Sequence, residues 1–158
     1  MSDSTIRFIS QRSEYGWMSN FASARFVLLG YNWATSEHAF QAAKVNFLGP
    51  WSARIQAAET PGEAKKLGQE CQLRDHWGQV KVPTMRMILA AKFTQNPDLC
   101  RKLLITGDRA IEEDAKWDSF WGTGKTGPGG NGRNMMGSLL MELRQELRLI
   151  LQGVRREA

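Results

Sequence analysis

Seven apolar residues near the end of the chain define one side of a helix. Met136, Leu139, Leu140, Leu143, Leu147, Ile150 and Leu151 recur at i, i+3, i+4 and i+7, which lines them up along a single helical stripe. That stripe predicts a helix over about 134–152 whose apolar side faces a core. From Ser36 onward the chain reads mostly as helix, with further segments expected over about 36–47, 51–58, 61–70, 83–95 and 97–105. Pro61 and Pro83 suit first-turn positions, and Pro97 opens a new helix after Asn96. Strand signals are confined to residues 5–35, in Ile6-Arg-Phe-Ile9 and in Arg25 to Trp33 around a turn at Gly30. The pattern predicts an α+β fold, predominantly helical, with a few short N-terminal strands.

The length of 158 residues suits one domain over 1–158, with a core of about 5–152. No internal repeat and no linker divides it. The net charge of +5 is compatible with a phosphate-bearing partner but too scattered to assert nucleic acid. Cys71 and Cys100 form no metal motif and read as reduced thiols, and His38 and His76 lack ligand neighbours, so no metal is expected. The start of the chain has no signal-peptide pattern, and no apolar run approaches a membrane span, so the expected location is the cytoplasm with no membrane partner.

The segment Trp33 to Lys44 carries the first chemical candidates. Glu37, Gln41 and Lys44 fall at i, i+4 and i+7, on one face of a helix that Thr35 or Ser36 can cap. Glu37 then sits in the first turn, at the positive end of the helix dipole, where a carboxylate is expected to stay ionised. The plainer reading is a solvated Glu/Gln/Lys stripe, flanked here by Phe40 and Phe47.

Between Gly122 and Gly132 stand six glycines, just before the last helix. Such a loop either cradles phosphate with backbone N–H groups or is a plain surface loop. Gly124-Lys125-Thr126 imitates the end of a nucleotide-binding P-loop, but Ser119 stands where the motif needs glycine and Gly-Pro-Gly-Gly follows. An NTPase is therefore excluded, and no nucleophile signature is present. Asp118, beside Phe120 and Trp121, reads either as an acid or base with a desolvated carboxyl or as a turn cap. The six tryptophans offer core or a slot for a heterocycle, core being the safer reading for any single one. Arg144, near the apolar face of the last helix, is a buried or cleft-facing cation or a snorkelling one.

Two carboxylates, a lysine, surplus Trp and a glycine loop suit a ribosylated heterocycle carrying phosphate. Cleavage of its N-glycosidic bond passes through an oxocarbenium-like state that a carboxylate stabilises, with water activated and the leaving base protonated. A nucleotide-binding domain without activity fits the same residues.

The chain resembles a known family. Ser19-Asn20-Phe21, Trp33-x-Thr-x-Glu37-His38-Ala-Phe40-Gln41-Ala-x-Lys44 and Ala64-Lys-Lys-Leu-Gly68 look like the NADAR or YbiA-like pattern. So do Trp77, Met85, Ala91-Lys92-Phe93, Thr106-Gly107-Asp108, Glu113, Asp118-x-Phe-Trp121-Gly122, Asn134-x-x-Gly137-x-x-Leu140-Met141 and Arg144. The resemblance spans about residues 15–148. Its departures are a spacing before Asp118 one residue shorter than the common one, and Met136 where the family usually has Leu. It implies a compact, mainly helical α+β domain with a polar cleft, and an N-glycosidase acting without a cofactor. The implied substrates are early ribosylamino-pyrimidine phosphates of riboflavin biosynthesis, giving free base and ribose 5-phosphate. The alternatives are an ADP-ribosyl-guanine hydrolase acting on modified nucleic acid, and a non-catalytic ADP-ribose or nucleotide-binding module. By resemblance, Glu37 and Asp118 are catalytic, and Asn20, Gln41, Lys44, Trp77, Trp121, Asn134 and Arg144 bind substrate.

Overall fold

A computed structural model of the chain describes residues 5–124 and 131–157. Six α-helices and four short strands occur among them, an α+β fold that is predominantly helical. The chain divides into two compact units, one made of residues up to Ser19 together with those from Asp98 on, the other of Asn20–Pro97.

The unit Asn20–Pro97 opens on a hairpin. β2 (Phe26–Leu28) pairs antiparallel with β3 (Tyr31–Trp33), and Leu28 stands opposite Tyr31. The two residues between them, Leu29 and Gly30, have φ of 54° and 78°. Two positive φ angles are what a tight hairpin turn requires, and glycine supplies the second without strain. α1 (Ser36–Ala43) follows, with Thr35 as N-cap accepting the His38 N–H. Every residue of α1 is buried, because α2 (Gly49–Gln56), α3 (Pro61–Glu70), α4 (Trp77–Gln95) and β3 all pack against it. The helix is shorter than its sequence suggests. It stops at Ala43, and Asn46 and Phe47 turn the chain in left-handed conformation.

Pro61 stands in the first turn of α3, as its position implies. Pro83 does not open a helix. It lies inside α4, which begins six residues earlier at Trp77. Proline has no N–H to return to the preceding turn, but packing of Met85, Ile88, Leu89 and Phe93 into the core holds the helix through it.

The other unit pairs strands distant in sequence. β1 (Ile6–Phe8) runs parallel to β4 (Ile111–Glu113), a strand outside the N-terminal region where strand signals are concentrated. Three residues of mixed polarity carry too little alternation to be read as a strand. Arg7 and Glu112 face each other across the pair and form an ion pair at 3.1 Å. α5 (Pro97–Ile105) starts at the expected proline, and α6 (Met135–Glu157) packs on β4. Met136, Leu139, Leu140, Leu143 and Leu147 are buried as predicted. Ile150 and Leu151 are not: they are 60% and 46% exposed, because α6 runs on past the core that its first four turns cover.

Candidate active site

In the unit Asn20–Pro97, the face of α1 carrying Glu37 is not a solvated stripe. Glu37 and Gln41 are both buried, and Lys44 at the helix end is half-buried. Gln41 Nε2 donates to Glu37 Oε1 at 2.6 Å. The Glu37 backbone N–H donates to the Asn20 carbonyl at 3.0 Å, and Asn20 Nδ2 lies 3.6 Å from the Met85 sulfur. Lys44 Nζ donates to the Gly68 carbonyl at 3.2 Å. Trp77, at the start of α4, tilts against Phe40 with ring centres 5.3 Å apart. The structure therefore assembles Asn20, Glu37, Gln41 and Lys44 in the region of α1, with Trp77 anchored to its Phe40.

The electrostatics correct one expectation. Glu37 does sit in the first turn of α1, but its carboxyl is held above the ordinary carboxylate range. Burial raises it, and the bond from Gln41 and the positive charges of Lys65 and Lys44 only partly offset that. Lys44 is pushed in the opposite sense, down from an ordinary lysine, chiefly by its own desolvation. A carboxyl raised in this way changes protonation state closer to neutrality, and so suits proton transfer as well as charge stabilisation.

In the unit containing α6, Asp118 takes the capping role. Its Oδ1 accepts the backbone N–H groups of Phe120 and Trp121 at 2.9 and 2.8 Å. Trp121 is half-buried and meets Phe120 edge to face at 4.9 Å. Two residues expected to bind substrate make hydrogen bonds inside the fold. Asn134 Oδ1 accepts from the Glu113 N–H and its Nδ2 donates to the Ile111 carbonyl, so the side chain clamps β4. Arg144 is buried, and its Nη1 donates to Thr106 Oγ1 and to the Arg109 carbonyl. Long polar side chains within reach of irregular backbone satisfy its carbonyls first.

The glycine loop is corrected in part. The N–H groups of Gly132, Arg133, Asn134, Met135 and Met136 donate to carbonyls between Ser119 and Thr123. The amides leading into α6 are thus engaged by backbone and form no open anion cradle. Lys125, Thr126 and the glycines up to position 130 lie outside the described residues. Of the tryptophans, only Trp33 is fully buried, and Trp117 is 69% exposed.

Sequence reasoning missed three features. Lys65 reaches Glu37 electrostatically, and Gly68 supplies the acceptor for Lys44. Both stand in the Ala64–Gly68 motif, which carries no chemistry of its own to flag them. Lys92 is completely buried, its ammonium 5.4 Å from the centre of the Phe93 ring, and burial pushes it down to about 7. No helix among the described residues is long and apolar enough to cross a membrane, and no cluster of three or more metal-ligating side chains occurs among them.

The NADAR domain model matches residues 7–148, a span that runs through both units. The chain belongs to the NADAR family. Over 150 residues it is 39% identical to the N-glycosidase YbiA of Escherichia coli (strain K12), covering 93% of this chain and 91% of that protein. It is 40% identical over 154 residues to an N-glycosidase of Nostoc punctiforme, covering 93% and 95%. A riboflavin biosynthesis protein of Vibrio vulnificus is 35% identical over 144 residues, 90% of this chain but 38% of that longer protein. The NMR structure of E. coli YbiA superposes with a TM-score of 0.83 at 38% identity, over 96% of this chain and 89% of that one. With relatives of matching length that are N-glycosidases, this NADAR protein is a hydrolase of that class.

Proposed function

We propose that this NADAR protein hydrolyses the N-glycosidic bond of a small ribosylated base, with ribosylamino-pyrimidine phosphates of early riboflavin biosynthesis as first choice. Water adds to the anomeric carbon, the bond to the base nitrogen breaks, that nitrogen gains a proton, and free base and ribose 5-phosphate leave. The carrying observation is the buried Glu37 carboxyl, held by Gln41 and raised in proton affinity. The riboflavin biosynthesis name borne by a relative supports the choice of substrate.

We assign Glu37 to both halves of the reaction. Protonated, it delivers a proton to the departing base. As the carboxylate it then stabilises the cationic sugar and takes a proton from the attacking water. Asp118 is the second carboxylate in this reading; with Oδ1 committed to its turn, proton chemistry falls to Oδ2. Lys44 has three N–H donors, one of which goes to Gly68, and the others suit the phosphate or the ribose hydroxyls. Trp77 and Trp121 offer ring faces to a base. The net charge of +5 gives slight support to a second reading, guanine-linked ADP-ribose in nucleic acid.

The test is a mass-spectrometric assay of the ribosylamino-pyrimidine phosphate with the wild-type protein and with Glu37→Gln. Free base and ribose 5-phosphate from the wild type alone is the expected result. Turnover of guanine-linked ADP-ribose in its place selects the second reading. Full activity in Glu37→Gln overturns the assignment of the central residue.

A further inference from the structure

Gly68 stands in α3 two residues before the helix ends, where alanine is the better helix former. Its bare Cα has a spatial reason. A Cβ there would come within 2.0 Å of Gln41 Oε1, 2.8 Å of its Cδ and 2.9 Å of its Cβ. No side chain fits while the Gln41 carboxamide keeps its place. That carboxamide is itself unusual. Its nitrogen donates to Glu37, whereas its oxygen is buried against Gly68 with no hydrogen-bond partner. A buried acceptor left unpaired is unfavourable, so the group is held there for what its nitrogen does. The Gly68 carbonyl, near the helix end where carbonyls lack an intrahelical partner, accepts from Lys44 Nζ at 3.2 Å and from Cys71 Sγ at 3.3 Å.

We propose that Gly68 is a positioning residue for this site: its missing side chain seats the Gln41 carboxamide that orients Glu37, and its carbonyl holds the Lys44 ammonium. The inference rests on the reading of Glu37 as the proton-transfer group, but its central claim concerns the Glu37 carboxyl and is measurable without substrate. The charges that bear on that carboxyl are Lys65 of α3 and Lys44 at the end of α1.

The experiment is an isotope-edited infrared titration of the Glu37 carboxyl in the wild type, Gly68→Ala, Gln41→Ala and the double variant, with kcat, KM and thermal melting of each. In Gly68→Ala the carboxamide is pushed off its seat, Glu37 loses a donor that favours its charged form, and its midpoint moves to higher pH. Turnover falls roughly 10- to 100-fold, as for other supporting contacts, mostly in kcat. Gln41→Ala moves the midpoint the same way, and adding Gly68→Ala to it moves the midpoint no further. The melting data add a sign change. Gly68→Ala lowers Tm in the wild type, where it clashes, and raises Tm in a Gln41→Gly background, which removes the Gln41 Cβ as well as the carboxamide and leaves only helix propensity at position 68. Should Gly68→Ala alone fail to fold, recovery of a folded protein on adding Gln41→Gly supports the clash, and failure of both overturns it. An unmoved Glu37 midpoint in folded Gly68→Ala overturns the proposal even in an active enzyme. A shifted midpoint in a protein that cleaves no ribosylated base upholds Gly68 while removing the proposed function.

Discussion

Gln41 donates to Glu37 from one turn further along α1, with 2.6 Å between nitrogen and oxygen, and both residues are buried. Because burial raises the Glu37 carboxyl and this bond lowers it, removing the donor lets burial act with less opposition. Gln41→Ala should therefore move the basic limb of the kcat–pH profile, where Glu37 loses the proton it delivers, to higher pH and reduce kcat by about 10-fold or more. The check is a full pH profile of both proteins; superimposable limbs would sink the coupling.

Asp118 combines a turn cap with a proposed chemical role, and one substitution separates them. Asparagine keeps an oxygen for the Phe120 and Trp121 N–H groups but carries no charge. Asp118→Asn should melt within a few degrees of the wild type and lose about 100-fold or more in kcat. Asp118→Ala should in addition lose about 1 kcal/mol of stability. Equal activity of Asp118→Asn and wild type would leave Asp118 a cap alone.

Arg144 is expected to serve the fold rather than the substrate. Arg144→Met leaves the Arg109 carbonyl and Thr106 without their donor, and should cost about 1–3 kcal/mol in denaturant unfolding. KM for the phosphorylated substrate should stay within about twofold. A large rise in KM with unchanged stability would restore a phosphate role.

Lys92 gives the stability a pH dependence of definite sign. Its folded-state value near 7 lies below the ordinary 10.5 of the unfolded chain. Between these values the unfolded chain binds more protons, so stability rises with pH, by up to about 1.4 kcal/mol per unit from this group. Below pH 7 the full penalty of a buried ammonium is present. Lys92→Met should be more stable than the wild type at pH 6 and should flatten the rise between pH 7 and 9. Parallel denaturant titrations of the two proteins across that range decide the matter.

Periodicity made the helices readable, because a stripe such as Met136–Leu147 can be buried in few other ways. Proline misled at Pro83, since its local preference for a first turn was outweighed by packing further along α4. β4 was invisible, because three residues take their conformation from a partner more than 100 positions away. At the site, residue types and order were legible while states were not. That Glu37 lies in a first turn follows from Thr35, but its burial depends on the four elements around α1. Asn134 and Arg144 were placed with the substrate by resemblance, and a resemblance of sequence shows donors and acceptors without showing which groups of the fold they also serve.

The parallel pairing of Ile6–Phe8 with Ile111–Glu113 also sets an order of events. On a ribosome the first strand emerges with no mate, and the residues Asn20–Pro97 can close on themselves while it waits. The N-terminal segment is then captured late, across a long loop whose closure is entropically slow. A nascent chain with Ala110 still inside the ribosome would present Ile6–Phe8 without its mate and open to proteolysis; once Glu113 has emerged, that sensitivity should fall.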